Sequence, residues 1–171
     1  MEVCGTNLDD VWIVKPDVSE DFRGQHFMIY QKGVYKRFNS KLTSEINYLD
    51  SYKGVMNGIH YSPDCWKIYQ CLVGVMYYVF IDMETFQWES FIISEHNKYQ
   101  LIKHPRYATG FVAVTDCKLI WFQSELYNPD NPNQQTFKWT DERFNLWWPK
   151  ITETPLLSRR DEIGHYINKE G

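Results

Sequence analysis

Apolar residues along this chain gather in short runs broken by turn-forming residues, a spacing that belongs to strands. Val11-Trp12-Ile13-Val14 is largely β-branched and stops at Lys15-Pro16. Asp21-Phe22-Arg23-Gly24 reads as a turn leading into His26-Phe27-Met28-Ile29-Tyr30. The strongest signal runs from Lys67 to Met83, rich in Val, Ile and Tyr and divided by Gly74, which predicts a hairpin turn or a bulge there. Trp88 to Ile93 follows, then a polar turn at Ser94-Glu95-His96-Asn97, then Tyr99 to Ile102 before a break at His104-Pro105. Gly110 to Val114 and Lys118 to Phe122 flank Thr115-Asp116-Cys117, which predicts a second hairpin. Tyr127 to Asn133 carries two prolines and reads as a long irregular loop. Helices are expected to be short and peripheral, near Glu142 and Arg143 or between Lys36 and Ser40. Many short strands at regular spacing predict an all-β fold, a sandwich or barrel, in one domain over residues 1–171 with no internal repeat.

Composition narrows the partners. A chain of 171 residues that is 43% hydrophobic suits one domain with a sizeable core. Aromatic residues make up 17%, which favours pleated surfaces and leaves rings for stacking on a ligand. The net charge is −4 without a long basic run, so nucleic acid is not an expected partner. No apolar run approaches the roughly 20 residues of a membrane helix, so no membrane partner is expected either. The start, Met1-Glu2-Val3-Cys4-Gly5, lacks the basic patch and apolar stretch of a signal peptide. Cys4, Cys65, Cys71 and Cys117 form no C-x-x-C pair, and each is expected to act as a small buried hydrophobe with a reduced thiol in a cytoplasmic protein.

Candidate chemistry centres on His60, which sits between the Gly-flanked segment Gly54 to Gly58 and the run that begins at Lys67. A lone histidine there is either a satisfied structural group or one that exchanges a proton near neutral pH. The five histidines, at 26, 60, 96, 104 and 165, show no H-x-H or H-x-x-x-H spacing, so no metal is expected. There is no G-x-S-x-G elbow for a serine hydrolase and no Gly-rich phosphate loop. What remains is acid–base chemistry without a cofactor. It needs a base, a carboxylate to orient it, an acid on the opposite face and a cation near developing negative charge.

Several segments, in order, resemble the dTDP-4-dehydrorhamnose 3,5-epimerase family, a cupin-type group of nucleotide-sugar epimerases. Asp21-Phe22-Arg23-Gly24 resembles the family's D-x-R-G. Asn47 and then Gly54 to Tyr61 resemble its N and G-V-L-R-G-L-H-Y. Lys67 to Cys71 is similar to K-L-V-R-V, Val79 to Asp82 to V-x-V-D, and Ile93 to Asn97 to L-S-x-E-N with His96 added. Tyr127-Asn128-Pro129 resembles Y-x-P, Trp139-Thr140-Asp141 with Trp148-Pro149 resembles W-N-D and W-P, and Leu157 to Asp161 resembles L-S-x-K-D. The resemblance spans about Val11 to Asp161 and implies a cupin-type jelly roll. It places the base at His60, its paired carboxylate at Asp161, the opposing acid at Tyr127 and the enolate-stabilising cation at Lys67. Arg23, Asn47, Asn57, Thr109 and Trp139 fall where the substrate is expected, with Arg23 reaching the diphosphate from the partner subunit of a homodimer with exchanged N-terminal strands. The implied partner is a nucleotide-linked 4-keto sugar for polysaccharide synthesis (capsule or O-antigen), inverted at C3, C5 or both.

Departures from the pattern cluster around the substrate. Asn57 replaces an Arg, Thr109 a second His, Glu45 a Gln and Met28 a carboxylate, and the stretch after Asp82 lacks the usual S-P. They suggest an altered substrate, such as a GDP-linked sugar or a heptose, with the base retained. Two rivals remain: a 3,4-ketoisomerase, against which the His60/Tyr127 pair argues, and a non-catalytic sugar-binding cupin.

Overall fold

The computed structural model describes residues 1–165. In chain order the elements are β1 (Glu2–Gly5), β2 (Val11–Lys15), β3 (Val18–Asp21), β4 (Gly24–Phe27), α1 (Lys32–Tyr35), β5 (Glu45–Ser51), β6 (Met56–Tyr61), β7 (Lys67–Val73), β8 (Val75–Asp82), β9 (Trp88–Ser94), β10 (Gln100–Lys103), β11 (Tyr107–Ala113), β12 (Cys117–Gln123), β13 (Gln135–Thr136) and α2 (Arg159–Ile163). A six-stranded sheet has the order β1-β2-β10-β7-β12-β5, and a five-stranded sheet has the order β13-β6-β11-β8-β9. The pairings within them are antiparallel. They pack face to face as a jelly-roll sandwich, the all-β class that the sequence predicts, with β3 and β4 forming a separate two-stranded ribbon.

The central strands read as continuous apolar runs because both of their faces are covered. Between the sheets lies a core of Tyr69, Cys71, Met76, Tyr78, Phe80, Phe91, Leu101, Phe111 and Leu119 among others. Outside the six-stranded sheet, Tyr35, Leu42 and the N-terminal segment pack on Val14, Ile68, Ile102 and Phe122. Outside the five-stranded sheet, Phe137, Phe144, Trp139 and Trp148 pack on Ile59, Val79, Ile81 and Ala108. β8 is therefore buried along nearly its whole length, with neither face presented to solvent. Burial of this kind stabilises by about 1.5–3 kcal/mol per large side chain.

Gly74 forms neither the expected hairpin nor a bulge. β7 lies in one sheet and β8 in the other, so Gly74 is the corner at which the chain changes layers. Its φ of +82° and the 2.2 Å that would separate a Cβ from the Asp116 carbonyl both require glycine. Thr115 and Asp116 likewise join β11 and β12 across the layers, not within a hairpin. The short helices are peripheral, as expected, but not where expected: residues around Glu142 and Arg143 form turns, α1 ends at Tyr35, and α2 lies in a stretch for which no helix was predicted. The strand predicted to reach Tyr30 ends at Phe27.

Candidate active site

One end of the sandwich is polar because two ladders of inward-facing residues change character there. On the six-stranded sheet the row Lys103, Lys67, Gln123, Glu45 lies at the open end. The next inward row is Leu101, Tyr69, Trp121, Asn47. On the facing sheet His60 pairs with Thr109, which pairs with Phe80. Between them opens a cavity of about 360 Å³ walled by His60, Lys67, Asn47, Asn57, Thr109 and Tyr127 with the residues around them. Asn47 lines it through an amide that donates to Glu45 Oε1 at 2.8 Å. Thr109 Oγ1 lies 3.4 Å from the Tyr69 hydroxyl.

His60 stands on β6 with Asp161 behind it. Its Nε2 lies 2.6 Å from Asp161 Oδ1, although the two residues are 101 positions apart. A carboxylate only accepts, so Nε2 carries the hydrogen and the Nδ1 lone pair is left to take a proton. Asp161 is 1% exposed. Its Oδ1 also accepts from the Gly58 N–H at 3.1 Å, and its Oδ2 accepts from the Ser158 hydroxyl at 2.6 Å. Ser158 is the N-cap of α2, accepting from the Asp161 N–H at 3.2 Å, so the cap and the carboxylate fix each other. Burial alone would raise the Asp161 carboxyl; the hydrogen bonds from His60, Ser158 and Gly58 outweigh it and hold it below the usual carboxylate range. Gly58 also has to be glycine for the packing of β6 against β11: at φ +98°, a Cβ would stand 2.6 Å from the Thr109 carbonyl.

Tyr127 lies on the loop after β12, 56% exposed, and its backbone N–H donates to Glu45 Oε2 at 2.8 Å. That bond, with the one from Asn47, holds the Glu45 carboxyl below its ordinary range. Glu45 thus ties the loop to the cavity wall. Lys67 lines the wall from β7.

Two expected substrate contacts lie outside the cavity of a single chain. Arg23 is exposed at the tip of the β3–β4 ribbon and pairs with Asp21, Nη2 to Oδ2 at 2.6 Å. Trp139 packs in the outer core of the five-stranded sheet, and its carbonyl accepts from Trp148 Nε1 at 3.3 Å. Conversely, Lys103 and Arg160 wall the cavity and were not expected there. Arg160 donates from Nε to Thr136 Oγ1 at 2.6 Å. The signal for Lys103 was strand alternation: once Leu101 faces the core, so does residue 103.

Among the described residues no three His, Cys, Asp or Glu side chains converge on a point that would hold a metal ion. Cys65, Cys71 and Cys117 are buried free thiols, and Cys4 is half-buried. No helix among the described residues is long and apolar enough to cross a membrane.

Two antiparallel sheets packed as a jelly roll with a cavity open at one end form a cupin-type architecture, and here a histidine–aspartate pair borders that cavity. The chain belongs to the dTDP-4-dehydrorhamnose 3,5-epimerase family, which it matches over residues 5–169. It is 32% identical over 173 residues to the dTDP-4-dehydrorhamnose 3,5-epimerase of Neisseria gonorrhoeae, covering 96% of this chain and 52% of that protein. The chain thus spans about half the length of that relative. It is 29% identical over 175 residues to the Shigella flexneri protein of the same description, covering 96% of this chain and 94% of that one. Its fold superposes with a TM-score of 0.90 on the dTDP-6-deoxy-D-glucose-3,5-epimerase of Legionella pneumophila, solved with dTDP-4-keto-L-rhamnose, at 23% identity and over 99% of this chain and 94% of that one.

Proposed function

We propose that this protein is an isomerase that epimerises a nucleoside-diphosphate 4-keto sugar at C3, C5 or both, by proton abstraction and return without a cofactor. The observation that carries the reading is the 2.6 Å His60–Asp161 pair opening into a cavity shared with Lys67 and Tyr127. The 4-keto group acidifies the neighbouring C–H bonds. Nδ1 of His60 removes one proton, and the electron pair passes to the C4 oxygen. The Lys67 ammonium steadies that oxygen, and Tyr127 delivers a proton from the opposite face. Asp161 keeps the imidazole in the required tautomer and balances the imidazolium.

Asn57 and Thr109 stand on the cavity wall where the family pattern carries Arg and His. Their smaller, uncharged side chains support a substrate other than the 6-deoxyhexose on dTDP, such as a GDP-linked sugar or a heptose. The exposed ribbon, with Phe22 98% exposed beside Arg23, supports a homodimer in which Arg23 completes the partner's nucleotide site. Light scattering on the purified protein tests that assembly, and a monomer at micromolar concentration would refute it. The free thiols support a reducing, cytoplasmic setting.

The experiment is incubation with dTDP- and GDP-linked 4-keto sugars in D2O, read by NMR. Deuterium at C3 or C5 with inversion and a fixed keto group is the expected result. Migration of the keto group would identify a ketoisomerase. Wild-type protein that exchanges neither sugar would leave a binding cupin.

A further inference from the structure

Two lysines stand side by side on the cavity wall, and the reaction above uses one of them. Lys67 and Lys103 are direct partners in the β7–β10 ladder, so their Cβ atoms lie about 5 Å apart on the same face. Both line the cavity. Among the described residues, neither forms an ion pair with a carboxylate. Lys103 is 1% exposed, and its Nζ donates to the Tyr107 carbonyl on the opposite sheet at 2.8 Å. An ammonium has three N–H donors, so this bond uses only one of them. A mere tie between the sheets does not require a charge, and a buried cation without a counter-ion is costly to keep. The arrangement makes sense when an anion enters the cavity.

We propose, on the basis of the epimerase reading, that Lys103 is the second cation of the oxyanion site, sharing with Lys67 the negative charge that develops on the C4 oxygen. When His60 takes the C–H proton, the electron pair moves to that oxygen and two ammonium groups on adjacent strands face it. Asn57 and Thr109 on the facing wall stand where the family pattern has basic residues, and Lys103 returns a positive charge to the pocket.

The charge on Lys103 responds to its surroundings. Burial, and then the neighbouring Lys67, bring its pKa down to about 7; Cys65 and Asp64, on the connection before β7, oppose this. His104 and Arg106 occupy the turn that follows β10, Tyr107 faces from β11, and Asp9 and Asp10 precede the paired strand β2. In the free protein the ammonium is present below neutral pH and is lost above it.

The test is the pH profile of kcat/KM between pH 5.5 and 9 for wild type and Lys103→Met, using whichever 4-keto nucleotide sugar supports exchange. Wild type is expected to lose kcat/KM as pH rises through about 7. Lys103→Met is expected to lose about 10²-fold in kcat and to lack that falling limb. A folded variant within threefold of wild type and with the same limb overturns the role of Lys103 while leaving the epimerase reading intact. If Lys103→Met does not fold, Lys103→Gln takes its place. A wild-type profile flat from pH 6.5 to 9 overturns the proposal without any variant. Wild type inactive on every sugar overturns the epimerase reading, and this inference with it.

Discussion

Replacing Asp161 by Asn separates the charge of the dyad from its shape. Oδ1 must accept from both the Gly58 N–H and His60 Nε2–H, whereas Oδ2 faces the Ser158 hydroxyl, which can also accept. An Asn side chain therefore settles with its oxygen toward His60 and its NH2 toward Ser158. The tautomer and ring position of His60 survive, and only the negative charge is lost. A hydrogen bond to a charged partner contributes about 1.5–3 kcal/mol and a neutral one about 0.5–1.5 kcal/mol. The imidazolium that forms during proton abstraction feels the larger loss because Asp161 is shielded from water. A deficit of about 2 kcal/mol, the upper part of that difference, corresponds to roughly 30-fold in kcat. KM should stay within a few-fold, since Asp161 does not line the cavity. The assay is initial-rate epimerisation together with thermal unfolding. The sign for stability also follows: a carboxyl depressed in the folded state stabilises above its unfolded pKa of about 3.9 and loses that contribution as pH falls through the lower folded value. The stability gap between wild type and Asp161→Asn should therefore be full at pH 6 and shrink below pH ~4. An Asp161→Asn protein that keeps a third or more of the wild-type kcat would refute the reasoning.

Three further outcomes are expected. Tyr127→Phe should still exchange the abstracted proton with D2O but should invert the centre about 10²–10³-fold more slowly, since the return path is removed and the base is not; equal loss of both would place Tyr127 elsewhere in the mechanism. Glu45→Ala frees the backbone of Tyr127 and should lower kcat about tenfold, whereas Glu45→Gln keeps an acceptor and should stay near wild type, and equal rates for the two would show that the 2.8 Å bond does not position the loop. Gly58→Ala forces a Cβ toward the Thr109 carbonyl in a left-handed conformation and should cost about 2–3 kcal/mol in urea unfolding; a change below 0.5 kcal/mol would mean that β6 relaxes freely.

The sequence carried the class of the fold because strand signals are local, but it did not carry the layer changes. Gly74 marks a reversal in any β fold; only the positions of distant partners decide whether the reversal stays in one sheet or changes sheets. Strand β6 was hidden by Asn57 and Gly58, which lower its strand signal, and β3 by its exposed polar residues, which pair only with β4. His60, Lys67 and Tyr127 were legible through their ordered motifs, and the fold brings them to one cavity. Asp161 was legible only through the same resemblance, since no spacing rule links residues 101 positions apart. Lys103 was not legible because the adjoining His104-Pro105 signals a break, while the two-residue alternation that points its side chain inward becomes readable only once β10 has a known inner face.

The same long separation has a consequence for the order of biosynthesis. His60 emerges from the ribosome early, yet the carboxylate it pairs with arrives a hundred residues later. It is delivered by a segment that docks beside β6, where the Met56 N–H donates to the Leu156 carbonyl and the Leu156 N–H to that of Gly54. A nascent or prematurely terminated chain that stops before residue 161 holds the imidazole without its counter-charge. On the proposed mechanism such a fragment would be a far weaker catalyst, so full activity would report that the segment carrying Leu156 to Asp161 has found its seat beside β6.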